Sequence, residues 1–495
     1  VVAPFYFTVI YSKCYCDRQL SARHNPTENL LSAQSSTRRT TLKYNLAKIF
    51  ARSVFRIIPL LGIIVLLVVS PPLDAAPVIT EYPGLNPDFG SYITNGPDGN
   101  LWFTEYSHNN IGKVTPAGLI TKYTSPTPNS SPFMITTGPD GNLWFTEYQA
   151  NKIGKITPDG TIIEYPVPTA NSNPSGITVG PDDNLWFTEF TTDKIGRLTP
   201  DGTFTEFPLP DSVSNPNFIT AGPDGNLWFT EYANSHSRIG KITPEGVITE
   251  YPVTEKPNCN LTGIATGSDG NLWFTEVVCP NSDKYVGRIT PAGVITLFPY
   301  NSSYSITQGP DGNLWFAEAS LNKIARITAD GTLTEYPVPT TNSFPYSIIA
   351  GPDGNLWFTE PGSRQIGKLE LEAGPLMVTY PSDNGRGLVA GTFSYALKVA
   401  KTNQTINFKL YSGNTIAVKA ALPPVQPGAT ISAPCTARKP TIILDGSTLP
   451  RTSKIDGLHL LGNNTLSGLK IIHFPGKPLY ATGHGNHLSC DVLQH

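Results

Sequence analysis

The stretch GPDGNLWFTEYQANKIGKITPDGTIIEYP, Gly138 to Pro166, decides the fold. Its head recurs with minor variants from Gly96, Gly138, Gly180, Gly222, Gly267, Gly309 and Gly351, in steps of 42, 42, 42, 45, 42 and 42 residues. All 7 tryptophans of the chain fall inside it, one per copy. Each copy reads as four short strands: an Ile-Thr-like pair, Leu-Trp-Phe-Thr-Glu, Ile-Gly-Lys-Ile-Thr, and Thr-Ile-x-Glu-Tyr-Pro. The links are tight turns, because Pro139 presets a turn dihedral and Gly141 and Gly160 supply positive φ. A four-stranded unit of this size cannot bury both of its faces alone, whereas a ring of such sheets packed face to face can. The expectation is an all-β chain whose residues 77–372 form a seven-bladed β-propeller.

Ring closure gives an independent check. The seventh copy ends at Ile366-Gly367-Lys368-Leu369-Glu370 and lacks a Glu-Tyr-Pro strand, while Ile79-Thr80-Glu81-Tyr82-Pro83 stands ahead of the first copy. That segment is expected to complete the last blade.

At 495 residues with 39% hydrophobic and 15% charged residues, the chain exceeds one compact core and predicts two or three units. Its 44 Gly and 46 Pro stay below a low-complexity composition, so wholesale disorder is excluded. A formal charge of -3 argues against a nucleic-acid partner held by phosphate neutralisation. The charge is uneven, because residues 1–76 carry nine Lys/Arg against Asp17, Glu28 and Asp74 and leave an acidic body. Lys48, Arg52 and Arg56 precede an apolar run from Ile57 to Val69, followed by Pro71, Pro72 and the small pair Ala75-Ala76. Residues 42–76 therefore read as a signal peptide, and 1–41 as an upstream leader outside the fold. The run is too short to span roughly 30 Å of hydrocarbon, so no stable membrane span is expected after cleavage and the product is expected at an extracytoplasmic surface.

Two repeated features read as structure rather than chemistry. The Glu closing each second strand (Glu105 in the first copy, Glu360 in the last) is followed by a base on the third, such as Lys113 or Lys368, which suggests a cross-strand ion pair. Each Trp reads as an anchor between blades. Function is then sought where the copies differ, in the loops on one face. The position two before each Ile-Thr-like pair gives a ring of Ser91, Phe133, Ser175, Asn217, Thr262, Tyr304 and Tyr346, with Phe89, Phe218 and Phe344 nearby. This mix of rings and small polar groups suits a neutral small molecule or carbohydrate.

Of the 6 cysteines, Cys14 and Cys16 belong to the leader. Cys259 and Cys279 flank the fifth copy on one face and are expected to form a disulfide in an oxidising compartment. Cys435 and Cys490 are left as a second candidate pair. His108 and His236 sit in polar loops without a partnering carboxylate and are not taken as catalytic.

Units such as ITAGPDGNLWFTEYANSHSRIGKITPEGVITEYPV resemble those of the virginiamycin B (streptogramin) lyases, which are seven-bladed propellers, over about residues 77–372. The resemblance implies Mg-assisted elimination that opens a cyclic depsipeptide antibiotic, with a His base, metal-holding carboxylates and a second His for substrate. Carried over, the substrate His falls on Tyr304, the base His on Tyr346, one metal Glu on Phe344, and the second metal carboxylate on Glu360. Three of the four are replaced. Tyrosine, with a pKa of about 10, is a poor base near neutrality, and one Glu gives Mg little of the oxygen coordination it needs.

Beyond Gly374 the composition changes. A helix-like stretch near Thr392–Ala400 is followed by short apolar strands set between Gly and Asn, such as Ile442–Leu444 and Leu469–Ile472. Residues 373–495 look like the opening of a right-handed parallel β-helix of the pectate-lyase-like class, short and incomplete, with room for about two coils. The leading expectation is an exported, non-catalytic recognition propeller that needs no cofactor. The alternative is a streptogramin-lyase-like carbon-oxygen lyase using Mg, and a structural spacer stands third.

Overall fold

In a computed structural model the chain is described over residues 77–86, 91–232, 237–255, 258–279, 284–300, 303–372, 374–384, 387, 389–410, 413–436 and 439–494. The leader, the signal segment, Phe89 and His236 lie outside the described residues. Seven four-stranded antiparallel sheets form the blades, the first built from Ile93–Asn95, Leu101–Glu105, Asn110–Val114 and Ile120–Thr124. In the seventh, Ile348–Ala350, Leu356–Glu360 and Gln365–Leu369 are completed by Ile79–Pro83, which pairs Ile79 with Leu369 and Pro83 with Gln365. Trp357 of this blade shares a core with Leu101 and Phe103 of the first, so the ring closes through packing as well as pairing.

The repeated motif is a lock around the tryptophan. Each Trp is buried against the next blade, Trp102 with Leu143 and Phe145 and Trp144 with Leu185 and Phe187. A buried indole N–H needs an acceptor. The turn Asp provides it in every blade, as in Trp144 Nε1 to Asp140 Oδ1 at 3.0 Å, while Asn142 donates to the same carboxylate at 2.9 Å. Burial pushes the Asp140 carboxyl up, but hydrogen bonds from Trp144, Asn142 and Lys155 outweigh it and hold it below the usual carboxylate range. Gly138 lets the ring approach, since a Cβ there would lie 2.3 Å from Trp144. Likewise a Cβ on Gly154 would lie 2.2 Å from the Phe145 ring, which explains the Gly of the third strand.

The expected Glu–base pairing is not what forms. Lys113 lies opposite Trp102, not Glu105, and sits 5.0 Å over the indole ring while reaching Asp98 at 3.7 Å. Lys155 does the same with Trp144 and with Asp140 at 3.1 Å. A third-strand base therefore joins the tryptophan lock through cation–π and ionic contact.

The second-strand Glu is instead fully buried under the upper loops. In the first blade Glu105 meets Lys122 at 2.8 Å. In five of the other blades a fourth-strand Glu stands near Lys122's position, so carboxyl faces carboxyl: Ser125 Oγ bridges Glu147 and Glu164. The fifth blade has Leu297 there. Burial, then repulsion from the neighbouring Glu, raises Glu189 to about 7 and Glu231 and Glu360 to about 8.

The C-terminal region carries more coils than the sequence suggested. One parallel ladder joins Leu376–Val378, Thr405–Phe408, Thr430–Ser432, Thr465–Ser467 and His487–Ser489. A second joins Ser382–Asp383, Thr415–Val418, Ile442–Asp445, Leu469–Ile472 and Val492–Gln494. Five rungs thus stack where about two were expected, because single coils of three or four strand residues leave too short an apolar run to be counted from sequence. The β-helix-like core includes Val378, Ile406, Ile416, Ile431, Leu444 and Leu466. A helix, Phe393–Val399, is capped by the Thr392 side chain. Tyr395 of this helix donates to the Gly351 carbonyl at 2.8 Å, and Met377 N to Pro310 O at 3.2 Å, which seats the region on the strand-one-to-strand-two turns of the propeller. Cys435–Cys490 staples the last coil to an earlier one.

Asp140→Ala leaves the Trp144 indole N–H buried without its acceptor, and we expect a loss of about 1–3 kcal/mol, with Asp140→Asn less damaging, read from chemical unfolding. The buried carboxyls carry a pH signature. Their folded values lie above those of the unfolded chain, so the native state holds extra protons between about pH 4.5 and 8. Their stabilising share is complete below that window and lost as pH rises through 7–8. The unfolding midpoint should fall from pH 6 to pH 9, and Glu231→Gln, which mimics the protonated form, should flatten the decline in calorimetry.

Candidate functional site

The loops joining strand four to strand one and strand two to strand three emerge on the face opposite the β-helix-like region. They enclose a bowl of about 280 Å³. Its floor is built on Tyr92, which meets Phe133, Phe218 and Tyr346 edge-on with centroids 4.9, 5.5 and 5.4 Å away. Tyr346 stacks on Tyr304 at 4.5 Å, and the Tyr92 hydroxyl donates to the Tyr346 oxygen at 3.3 Å. Burial, then the Tyr346 phenol, holds Tyr92 well above the ordinary phenol range. Burial likewise raises Tyr304 and Tyr148. Tyr92 and Tyr304 therefore present neutral phenols to the bowl.

The rim comes from the residue after each second-strand Glu. Tyr106, Tyr148, Phe190 and Tyr232 of the first four blades follow one another at 6.2, 6.2 and 5.9 Å between centroids. In the remaining blades this position is Val277, Ala319 and Pro361, so the rings form an arc rather than a circle. Ser175, Asn217 and Thr262 add polar spots on the lining, with Ser175 Oγ donating to Asn217 Oδ1 at 2.9 Å.

Of the residues read from sequence, Phe133, Ser175, Asn217, Thr262, Tyr304 and Tyr346 come together in the bowl. Ser91 is fully buried beneath it, its carbonyl accepting from Thr359 Oγ1 at 2.9 Å, and Tyr92 beside it lines the floor. Phe344 is exposed, holds φ of 51° and packs at Gly362 outside the bowl lining. Glu360 is fully buried in the ring of second-strand carboxyls, beside Ser363 Oγ at 3.2 Å and near Glu81. The rim rings went unread, although the run Glu-Tyr, Glu-Tyr, Glu-Phe, Glu-Tyr followed by Glu-Val is visible in the copies.

Cys259 and Cys279 are disulfide-bonded and tie the two upper loops of the fifth blade together. With Glu276 they make the one cluster of three candidate metal-ligand side chains among the described residues, but both sulfurs are committed to the bridge. No helix among the described residues is long and apolar enough to cross a membrane.

Comparison with solved structures gives a streptogramin B lyase at 40% identity and a TM-score of 0.55, covering 60% of this chain and 98% of that one. Selenomethionine-substituted virginiamycin B lyase from Staphylococcus aureus matches at 40% identity and 0.55, over 60% of this chain and all of that one. A catalytically inactive histidine-to-alanine variant of the Staphylococcus aureus enzyme with quinupristin matches at 39% identity and 0.55, with the same coverage. No curated protein matches the chain. The model of the virginiamycin B lyase family matches residues 77–303 and 235–386, spanning the whole propeller. With seven blades, their closure and 40% identity in agreement, this chain belongs to the virginiamycin B lyase family.

Proposed function

We propose that the bowl is a recognition site that binds a small molecule or carbohydrate with flat apolar faces and releases it chemically unchanged, in an exported protein. The observation that carries this reading is the stacked pair Tyr304 and Tyr346 on the floor, at the positions where the family resemblance expects imidazoles. A base must lose its proton near neutral pH. The Tyr304 phenol, raised by burial, is moved away from that range.

The residues do not fit a magnesium site either. Phe344 offers no ligand atom. Glu360 is fully buried beside Ser363 and Glu81, does not line the bowl, and occupies the same buried position as six other glutamates. Magnesium takes near-octahedral oxygen coordination, usually one or two carboxylates completed by waters, which a carboxyl outside the bowl lining does not offer it there. Export agrees with the two disulfides, which persist in oxidising compartments.

What the bowl offers is stacking surface, with hydrogen-bonding groups at Ser175, Asn217 and the phenols. Quinupristin, found with the relative's inactive variant, is a suitable probe. With quinupristin and Mg²⁺ the protein is expected to show saturable binding by calorimetry and no ring-opened product by mass spectrometry. Tyr304→Ala should weaken that binding roughly tenfold by removing one face of the stacked floor. Ring-opened product abolished by EDTA would replace this reading with the lyase, which family membership favours.

A further inference from the structure

The propeller has a second cavity at its other mouth. Thr94, Thr136, Thr178, Thr220, Thr266 and Thr307 of six successive blades line a chamber of about 390 Å³, which the β-helix-like region roofs with Tyr380, Asn384, Val389 and Ala390. That volume lies in the roughly 300–1,000 Å³ range of ligand cavities. An isoleucine-lined waist, including Ile93, Ile135, Ile219, Ile264, Ile306 and Ile348, lies between it and the tyrosine bowl. The chamber and the bowl share no lining residue.

The lining is rich in acceptors. Three of the lining donors are spent between blades: Thr137 donates to the Asn95 carbonyl, Thr266 Oγ1 to Ala221 O at 2.8 Å, and Asn95 Nδ2 to Ala350 O at 2.8 Å. Gln308 gives its Nε2 to Thr379 Oγ1 at 3.2 Å. The other end of that amide is unsatisfied: Gln308 is only 5% exposed, lines the chamber, and its buried Oε1 has no hydrogen-bond partner. A buried acceptor left without a donor is costly, and a donor from a ligand would satisfy it.

The rim carries an exception to the repeat. At the left-handed position of the strand-one-to-strand-two turn, six blades use glycine, such as Gly141 at φ 79° and Gly225 at φ 76°. The third blade places Asp183 there at φ 58°, an exposed residue that lines the chamber together with Pro139. A non-glycine residue in this conformation carries strain that the other six turns avoid.

We propose that this chamber binds a neutral polyhydroxylated ligand of mono- or disaccharide size. Hydroxyl groups supply the donors that Gln308 Oε1, the threonine oxygens and the Asp183 carboxylate accept. The carbon faces of a sugar ring suit Val179, Ala221, Ile264 and Tyr380, which line the same chamber. A bare cation would leave the same apolar surfaces facing its charge.

The full chain is titrated with glucose, galactose, xylose, N-acetylglucosamine and maltose at millimolar concentration, by saturation-transfer NMR and calorimetry. At least one is expected to bind. Asp183→Gly restores the glycine of the other six turns, so the unfolding midpoint should hold while affinity drops roughly tenfold or more. Gln308→Met should weaken the same sugar, and Tyr346→Ala, which alters only the upper bowl, should leave it unchanged. The proposal is overturned if no sugar of the panel binds, if binding survives both chamber variants, or if it is lost with Tyr346→Ala. It is equally overturned if Ca²⁺ or K⁺, rather than a sugar, binds with sensitivity to Asp183→Gly. Failure of quinupristin to bind would bear on the bowl alone.

Discussion

A buried indole N–H must find an acceptor, and in this chain the answer to that requirement organises the whole ring. The turn Asp two residues before Asn binds the indole, the amide and the basic side chain above them, so one carboxylate fastens a hairpin, an inter-blade anchor and a cation. The indole–Asp bond recurs in all seven blades and the Asp–base contact in the first five, which makes the blades' outer contacts nearly interchangeable. Tyr82 stacks on Trp357 at 5.5 Å just as Tyr123 stacks on Trp102 at 5.6 Å, so the N-terminal strand enters the seventh blade as a full member. Glu81 completes it, accepting from Thr340 N at 3.0 Å as Glu164 accepts from Thr127 N at 3.0 Å.

Most of this was legible in the sequence because period and turn chemistry are local. The seven GPDGNLW turns, the missing fourth strand after Leu369 and its counterpart at Ile79 defined the ring without any knowledge of contacts. The Glu–Lys pairing was misread because it depends on register. A hairpin whose ladder sets Trp144 against Lys155 sets Glu147 against Lys152, which reaches Glu164 instead. Spacing along a chain does not reveal which side chains stand opposite across it.

The candidate site divides in the same way. Phe133, Asn217, Tyr304 and Tyr346 follow from one position counted through the copies, and the structure gathers them. Tyr92 escaped because in the first blade the next residue, not Ser91, faces the axis. Glu360 looked like a ligand only when viewed apart from its six equivalents, whose shared burial makes them one structural class. The number of C-terminal coils was hidden for a different reason: rungs of three or four residues, separated by turns of unequal length, leave no period to count.

The closure strand places the two ends of the ring side by side, with Glu370 N bonded to Val78 O at 2.9 Å and Ile79 opposite Leu369. Tension between whatever precedes residue 77 and the C-terminal coils would therefore load this ladder at one end. Its bonds would part in succession, as in a zipper, instead of sharing the force along their length. The ring is thus directional toward a mechanical pull, with its point of yielding set where the chain is joined to itself.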